Sequence, residues 1–139
     1  MAVQSFQEIL AEAKTIAVVG CSNNPARTSN SIARYLISAG YEVIPVNPGH
    51  KEILGRPCYP AVSEIPADTK IDIVNIFRRP AHTAAMVEDV VKRIEETDEQ
   101  PVIWTQIGVS SQEAERLATA AELPYIKNRC ILVEHSRYA

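Results

Sequence analysis

Glycine is scarce in this 139-residue chain, with five in all. A complete G-x-G-x-x-G dinucleotide fingerprint is excluded, because after Gly20 its next glycine positions hold Ser22 and Pro25. Cysteine is scarce too. Cys21, Cys58 and Cys130 are odd in number and widely spaced, which fits neither a disulfide framework nor a structural zinc pattern. There is no basic excess: the net charge is −3 and the pI about 5.6, so nucleic acid is not an expected partner. No apolar run approaches the ~20 residues of a membrane span and no leader segment is recognisable, so neither a membrane nor secretion is expected and the cytoplasm is the expected compartment. His50, His82 and His135 lie in a Pro/Gly loop, at a helix start and in the tail. None has the Ser, Cys or carboxylate spacing that would name a base or nucleophile, so no catalytic residue is assigned.

What is present is an ordinary globular composition, 46% hydrophobic and 22% charged, in a length that suits one domain over residues 1–139. The chain is organised around residues 15–31, TIAVVGCSNNPARTSNS. Ile16, Ala17, Val18 and Val19 make the short apolar run of a strand buried on both faces, and Gly20 ends it. Eight small, polar or Pro residues follow before an amphipathic stretch opens near Ser29. A helix starting there aims unpaired N–H groups and the positive end of its dipole at the loop, which favours an anion such as phosphate. The same strand–loop–helix order also occurs in parallel α/β domains as a plain turn that binds nothing.

Around it the chain alternates. Residues 5–13 read as a helix with a Ser5/Glu8 capping box, 29–39 as a helix with Gly40 at its C-cap, and 41–46 as a strand stopped by Asn47-Pro48-Gly49. Residues 56–59 read as a short edge strand and 61–65 as a helical turn. Residues 71–77 form a strong strand, 80–96 a helix opened by Pro80, and 101–105 a strand. Ser110 and Glu113 box a further helix, residues 124–127 make a last short strand, and 128–139 form a tail with one helical turn. This alternation predicts a Rossmann-like, doubly wound parallel α/β sheet with strand order 3-2-1-4-5-6 and helices on both faces. The order reverses between the first and fourth strands, where ligands bind at the strands' carboxyl ends. That brings residues 20–29, 77–79 and 106–108 around one opening, walled by Asn47 and Pro48.

In nicotinamide enzymes an acidic residue ends the second strand and accepts from the ribose hydroxyls; here Asn47 holds that place, which weighs against NAD(P). Arg27 reads either as a diphosphate clamp or as a solvated loop arginine. Arg78 and Arg79 oppose the dipole of the helix they precede, which a bound anion or a salt bridge would offset. Cys21 reads as a small packed side chain or a reactive thiol, and Trp104 as core or as a stacking platform. Cys130 and Glu134 are four apart and would share a face of a helical tail, as part of a docking surface or a thiol site.

Taken in order, VGCSNNPARTSNSIARYL, GYEVIPVNP, IFRRP, WTQIGV and NRC resemble the small stand-alone CoA-binding proteins. These are Rossmann-like domains similar to the N-terminal domain of the succinyl-CoA synthetase α subunit. The resemblance spans nearly the whole chain and implies coenzyme A, or an acyl-CoA, lying across the strand ends. Carried over by position, it places Gly20, Cys21, Ser22, Arg27 and Ser29 at the phosphates and Val46, Asn47 and Pro48 beside the adenosine. Phe77, Arg78, Gln106, Ile107 and Gly108 would line the path of the pantetheine arm. The related ligase's phosphohistidine domain has no counterpart here, so the resemblance implies binding without catalysis, alone, as a homo-oligomer or beside a partner enzyme. The competing readings are an NAD(P)-binding oxidoreductase-like protein and an interaction subunit that binds no ligand.

Overall fold

The apolar runs pair side by side in a computed structural model of the chain, which describes residues 5–138. In chain order the elements are α1 (Phe6–Glu12), β1 (Thr15–Val19), α2 (Thr28–Ser38), β2 (Glu42–Val46), β3 (Glu52–Ile53) and β4 (Arg56–Pro57). A 3-10 turn (Val62–Glu64) precedes β5 (Ile73–Ile76), α3 (Pro80–Ile94), β6 (Val102–Thr105), α4 (Gln112–Ala120), β7 (Tyr125–Ile126) and α5 (Ile131–Tyr138). Five strands form one parallel sheet in the order β2-β1-β5-β6-β7. The Rossmann-like class is as expected, including the reversal that sets β1 beside β5.

The alternation of side chains along each strand sorts the core into two layers. Ile16, Val18, Ile73 and Trp104 face Ile32, Leu36 and Ile131, beneath α1, α2 and α5. Ala17, Val19, Val74, Ile76 and Ile103 face Val87, Val90, Ala114 and Ala118 of α3 and α4. Because both faces are covered, every residue of β5 and β6 is buried, and their sequences are mainly apolar. The two polar members are bonded, Asn75 Nδ2 to the Trp104 carbonyl and to Gln106 Oε1, and the Thr105 hydroxyl to the Ile126 carbonyl. Trp104 belongs to this core: it is fully buried, and its indole N–H donates to the Arg129 carbonyl at 2.8 Å.

Three expectations need correction. The expected third strand is not a sheet member; its contact with the sheet is one parallel bridge between Val46 and Tyr59, and β3 and β4 form a separate antiparallel pair. Pro57 lies inside that segment and Pro60 directly after it, and neither has an N–H to donate, so a longer ladder cannot propagate. The cap of α4 is Ser111, whose hydroxyl accepts the Ala114 N–H, while the Ser110 hydroxyl bonds Tyr125 instead. The tail is an eight-residue helix rather than one turn. Its first N–H, from Ile131, is caught by the buried Gln106 side chain, and its apolar face docks on the α1–α2 layer. Tertiary packing thus stabilises a helix too short to persist alone.

One buried ion pair shapes the segment between β4 and β5. The Arg93 guanidinium of α3 bonds the Glu99 carboxylate at 2.7 Å and donates to the carbonyls of Val62, Ile65, Pro66 and Thr69. Glu99 in turn accepts the Ile71 N–H. Every strong donor of the guanidinium meets an acceptor, which offsets the cost of burying the charge.

Candidate ligand-binding site

At the carboxyl ends of β1 and β5 the two halves of the sheet part. Gly20 turns the chain there with φ +83, and its N–H donates to Val46 of β2 at 2.9 Å. Any side chain at this position would meet Arg78: a Cβ would stand 3.1 Å from Arg78 Cδ. Gly20 is therefore favoured twice, by its positive φ and by the aliphatic stem of Arg78 laid against it.

The loop that follows is held by its own polar groups. Ser22 N–H donates to the buried Ser29 hydroxyl, and Ser22 C=O accepts from Asn30 Nδ2, both at 2.9 Å. Asn30 Oδ1 accepts from Arg34 Nε, and a second guanidinium nitrogen reaches the Pro25 carbonyl. Asn24 N–H closes onto the Ser22 hydroxyl, and Asn24 Oδ1 accepts the Ala26 N–H. Ser22 and Ser29 therefore shape the loop with the same groups expected at a phosphate, while Arg27 is exposed at its far end as the N-cap of α2. Asn30 and Arg34 were missed from the sequence, although their four-residue spacing on a helix was a signal for the bond they make.

The helix ends differ in a telling way. α1 carries a capping box and α4 a serine cap, each with acid in the first turn. α2 and α3, which open beside Gly20 and Arg78, have no side-chain cap and no first-turn acid; their N-caps are Arg27 and Arg79. Each end joins the positive pole of a helix dipole to a cation, which a bound anion stabilises. The free N–H groups lie mainly at α2, because in α3 Pro80 has no N–H and the His82 N–H bonds the Arg79 carbonyl at 2.8 Å.

A hollow of about 300 Å³ adjoins this end of the sheet, lined by Gly20, Val46, Pro48 and Arg78 from the expected set, with Ala61 and Met86 among its other walls. It brings together the first turn, the end of β2 and the start of α3. Phe77 packs with the opposite layer, beneath α1, α2 and α5, rather than into this hollow. Gln106 is buried, and its Oε1 accepts from Asn75 and from the Ile131 N–H, so it anchors α5. Ile107 beside it is 70% exposed, and Gly108 N–H is held by Asn128 Oδ1. A hollow of about 380 Å³ at the opposite ends of the strands is lined by Glu12, Asp72, Asp98 and Glu99 with Lys70 as its cation, a charge balance that repels phosphate.

Burial pushes the Cys21 thiol up to about 11, with the nearby Cys58 adding to the effect, so it stays protonated at neutral pH and is a poor nucleophile. Cys130 lies at the start of α5, where its carbonyl accepts the Glu134 N–H, and Glu134 pairs with Arg137. Among the described residues no three His, Cys, Asp or Glu side chains gather as a metal site, and no helix is long and apolar enough to cross a membrane.

Residues 14–136 match the family model of a CoA binding domain. The chain belongs to that family. It is 41% identical over 131 residues to the uncharacterized protein YneT of Bacillus subtilis (strain 168), covering 94% of this chain and 92% of that one. A hypothetical protein from Pyrococcus horikoshii OT3 superimposes with a TM-score of 0.87 at 41% identity, covering 96% of this chain and 89% of that structure. A 61-residue match, 39% identical, places 44% of this chain on 9% of an ADP-forming acetate–CoA ligase of Archaeoglobus fulgidus. The CoA-binding domain thus occurs both as a stand-alone chain and within a ligase, as the motif resemblance implied.

Proposed function

We propose that this chain, as one CoA-binding domain, holds coenzyme A or an acyl-CoA without transforming it, with the phosphates at the turn between β1 and α2. The observation that carries this reading is the pairing of two uncapped, acid-free helix starts with arginines at the point where the strand order reverses. A diphosphate supplies the charge that both ends lack. Membership of the CoA binding domain family supports CoA as the bearer of that diphosphate. The hollow between Val46, Pro48, Ala61 and Met86 is apolar enough to take a nucleoside base. Ile107, exposed above the end of β6, offers apolar surface to a pantetheine arm. The protonated state of Cys21 favours binding over covalent chemistry at the loop.

Calorimetric titration with CoA, NAD+ and ATP tests the reading. Heat with CoA that neither of the others matches is the expected result. Saturable NAD+ binding without CoA binding would overturn it in favour of an oxidoreductase-like protein, and no heat with any of the three would leave an interaction subunit.

A further inference from the structure

The end of β2 carries a residue whose bonding is directed inward. Asn47 Nδ2 donates to the Cys21 carbonyl at 2.9 Å, and Asn47 Oδ1 accepts the Gly49 N–H at 2.9 Å. Its backbone N–H donates to Tyr59, and its carbonyl accepts from His50 N–H and from the Cys58 thiol. The Gly49 donor fixes which end of the carboxamide is oxygen, so the end facing Cys21 must be the donor. One peptide plane in the turn after β1 is thereby pinned from both sides, Cys21 C=O by Asn47 and Ser22 N–H by the Ser29 hydroxyl.

We propose that Asn47 is a positioning residue of the site: its carboxamide ties the turn after β1 to the segment running from β2 through Tyr59, with a donor that a carboxylate cannot supply. The proposal deepens the CoA-binding reading and rests on it for the ligand's identity. An acid at this place, as in nicotinamide enzymes, would turn a negative oxygen toward the Cys21 carbonyl and toward a bound phosphate. The amide avoids both repulsions, so the residue that fails to provide a ribose acceptor is what holds the anion loop in shape. The titratable groups around it are Cys21 from the turn, His50 beside it, Cys58 and Tyr59 from the far segment, and Arg78 across Gly20.

Asn47→Ala and Asn47→Asp test this in the full chain. Asn47→Ala should weaken CoA and adenosine 3′,5′-bisphosphate about tenfold, the size of one lost charge-orienting hydrogen bond, while adenosine changes less than twofold. Asn47→Asp should bind both phosphate ligands still more weakly at pH 7.5 and recover in part as the pH falls through about 4, the ordinary aspartate range, where its protonated carboxyl again donates to Cys21. Wild type and Asn47→Ala should show no such recovery. Unchanged bisphosphate affinity in Asn47→Ala, an equal loss for adenosine, or no acid recovery in Asn47→Asp would overturn the assignment. Without ligand, amide exchange in residues 21–27 should quicken in Asn47→Ala while β1 and β5 stay protected. If wild type gives no CoA heat, the binding reading falls, and unchanged exchange in that loop then overturns the tie as well.

Discussion

Replacing Gly20 by alanine separates what the turn needs from what the ligand needs. The φ of +83 there costs a non-glycine residue about 1–2 kcal/mol. The new Cβ would also stand 3.1 Å from Arg78 Cδ, closer than an ordinary contact, so the Arg78 stem must move by a few tenths of an ångström. Since that stem is flexible, the steric part is small in stability but shifts the Arg78 side chain beside the loop. The expected loss is about 1–2 kcal/mol, or roughly 3–7 °C in Tm for a domain of this size. CoA affinity should fall about tenfold or more, equivalent to 1.4 kcal/mol. Gly40→Ala is the control: φ is +102, but a Cβ there meets nothing within 4 Å and lies beyond the far end of α2 from the crevice. It should lose comparable stability with CoA affinity unchanged. Thermal unfolding and calorimetry on both variants decide it. An unaltered Tm in Gly20→Ala, or an equal affinity loss in Gly40→Ala, would refute the reasoning.

Arg27→Ala, at an exposed N-cap without a side-chain bond, should leave Tm within a degree or so while weakening CoA by about 1.5–3 kcal/mol, read by calorimetry. Arg93→Met strands the buried Glu99 carboxylate and four carbonyls, so denaturant unfolding should show a loss of about 3–5 kcal/mol. Burial raises the Cys21 pKa from 9.0 to about 11, so the folded state holds this proton more tightly than the unfolded one. The associated stability is complete below pH 9 and is lost by about pH 11, a fall of roughly 3 kcal/mol. Cys58 and Tyr41 shift in the same direction, so the measurement is the difference in slope between wild type and Cys21→Ala over that range.

The expected core strands, the capping box at Ser5 and the helix opened by Pro80 were legible because each depends on neighbours in the chain. Periodicity reports burial, and capping residues report a nearby end. The edge strand did not join the sheet because Pro57 within residues 56–59 and Pro60 after them lack N–H groups, which restricts pairing to the one bridge between Val46 and Tyr59. The tail helix was underestimated because its stability comes from Gln106, 25 residues before Ile131. Position in the chain located the turn between β1 and α2, while the direction of the groups around it is set by the fold. Ser22, Ser29 and Gln106 turn their hydrogen bonds into the protein, and Phe77 packs into the opposite layer.

The sequence by itself determined the alternation of elements, the reversal point of the sheet and, through ordered motifs, the family. These follow from hydrophobic period and local backbone preference, which neighbouring residues carry. Only the tertiary structure decided that Asn47 ties two loops together, that Arg93 gathers the carbonyls before β5, and that Arg78 lies over Gly20. Each is a bond or contact between residues distant in the chain, and a polar side chain's partner is fixed by which unmet group the fold brings within about 3 Å of it.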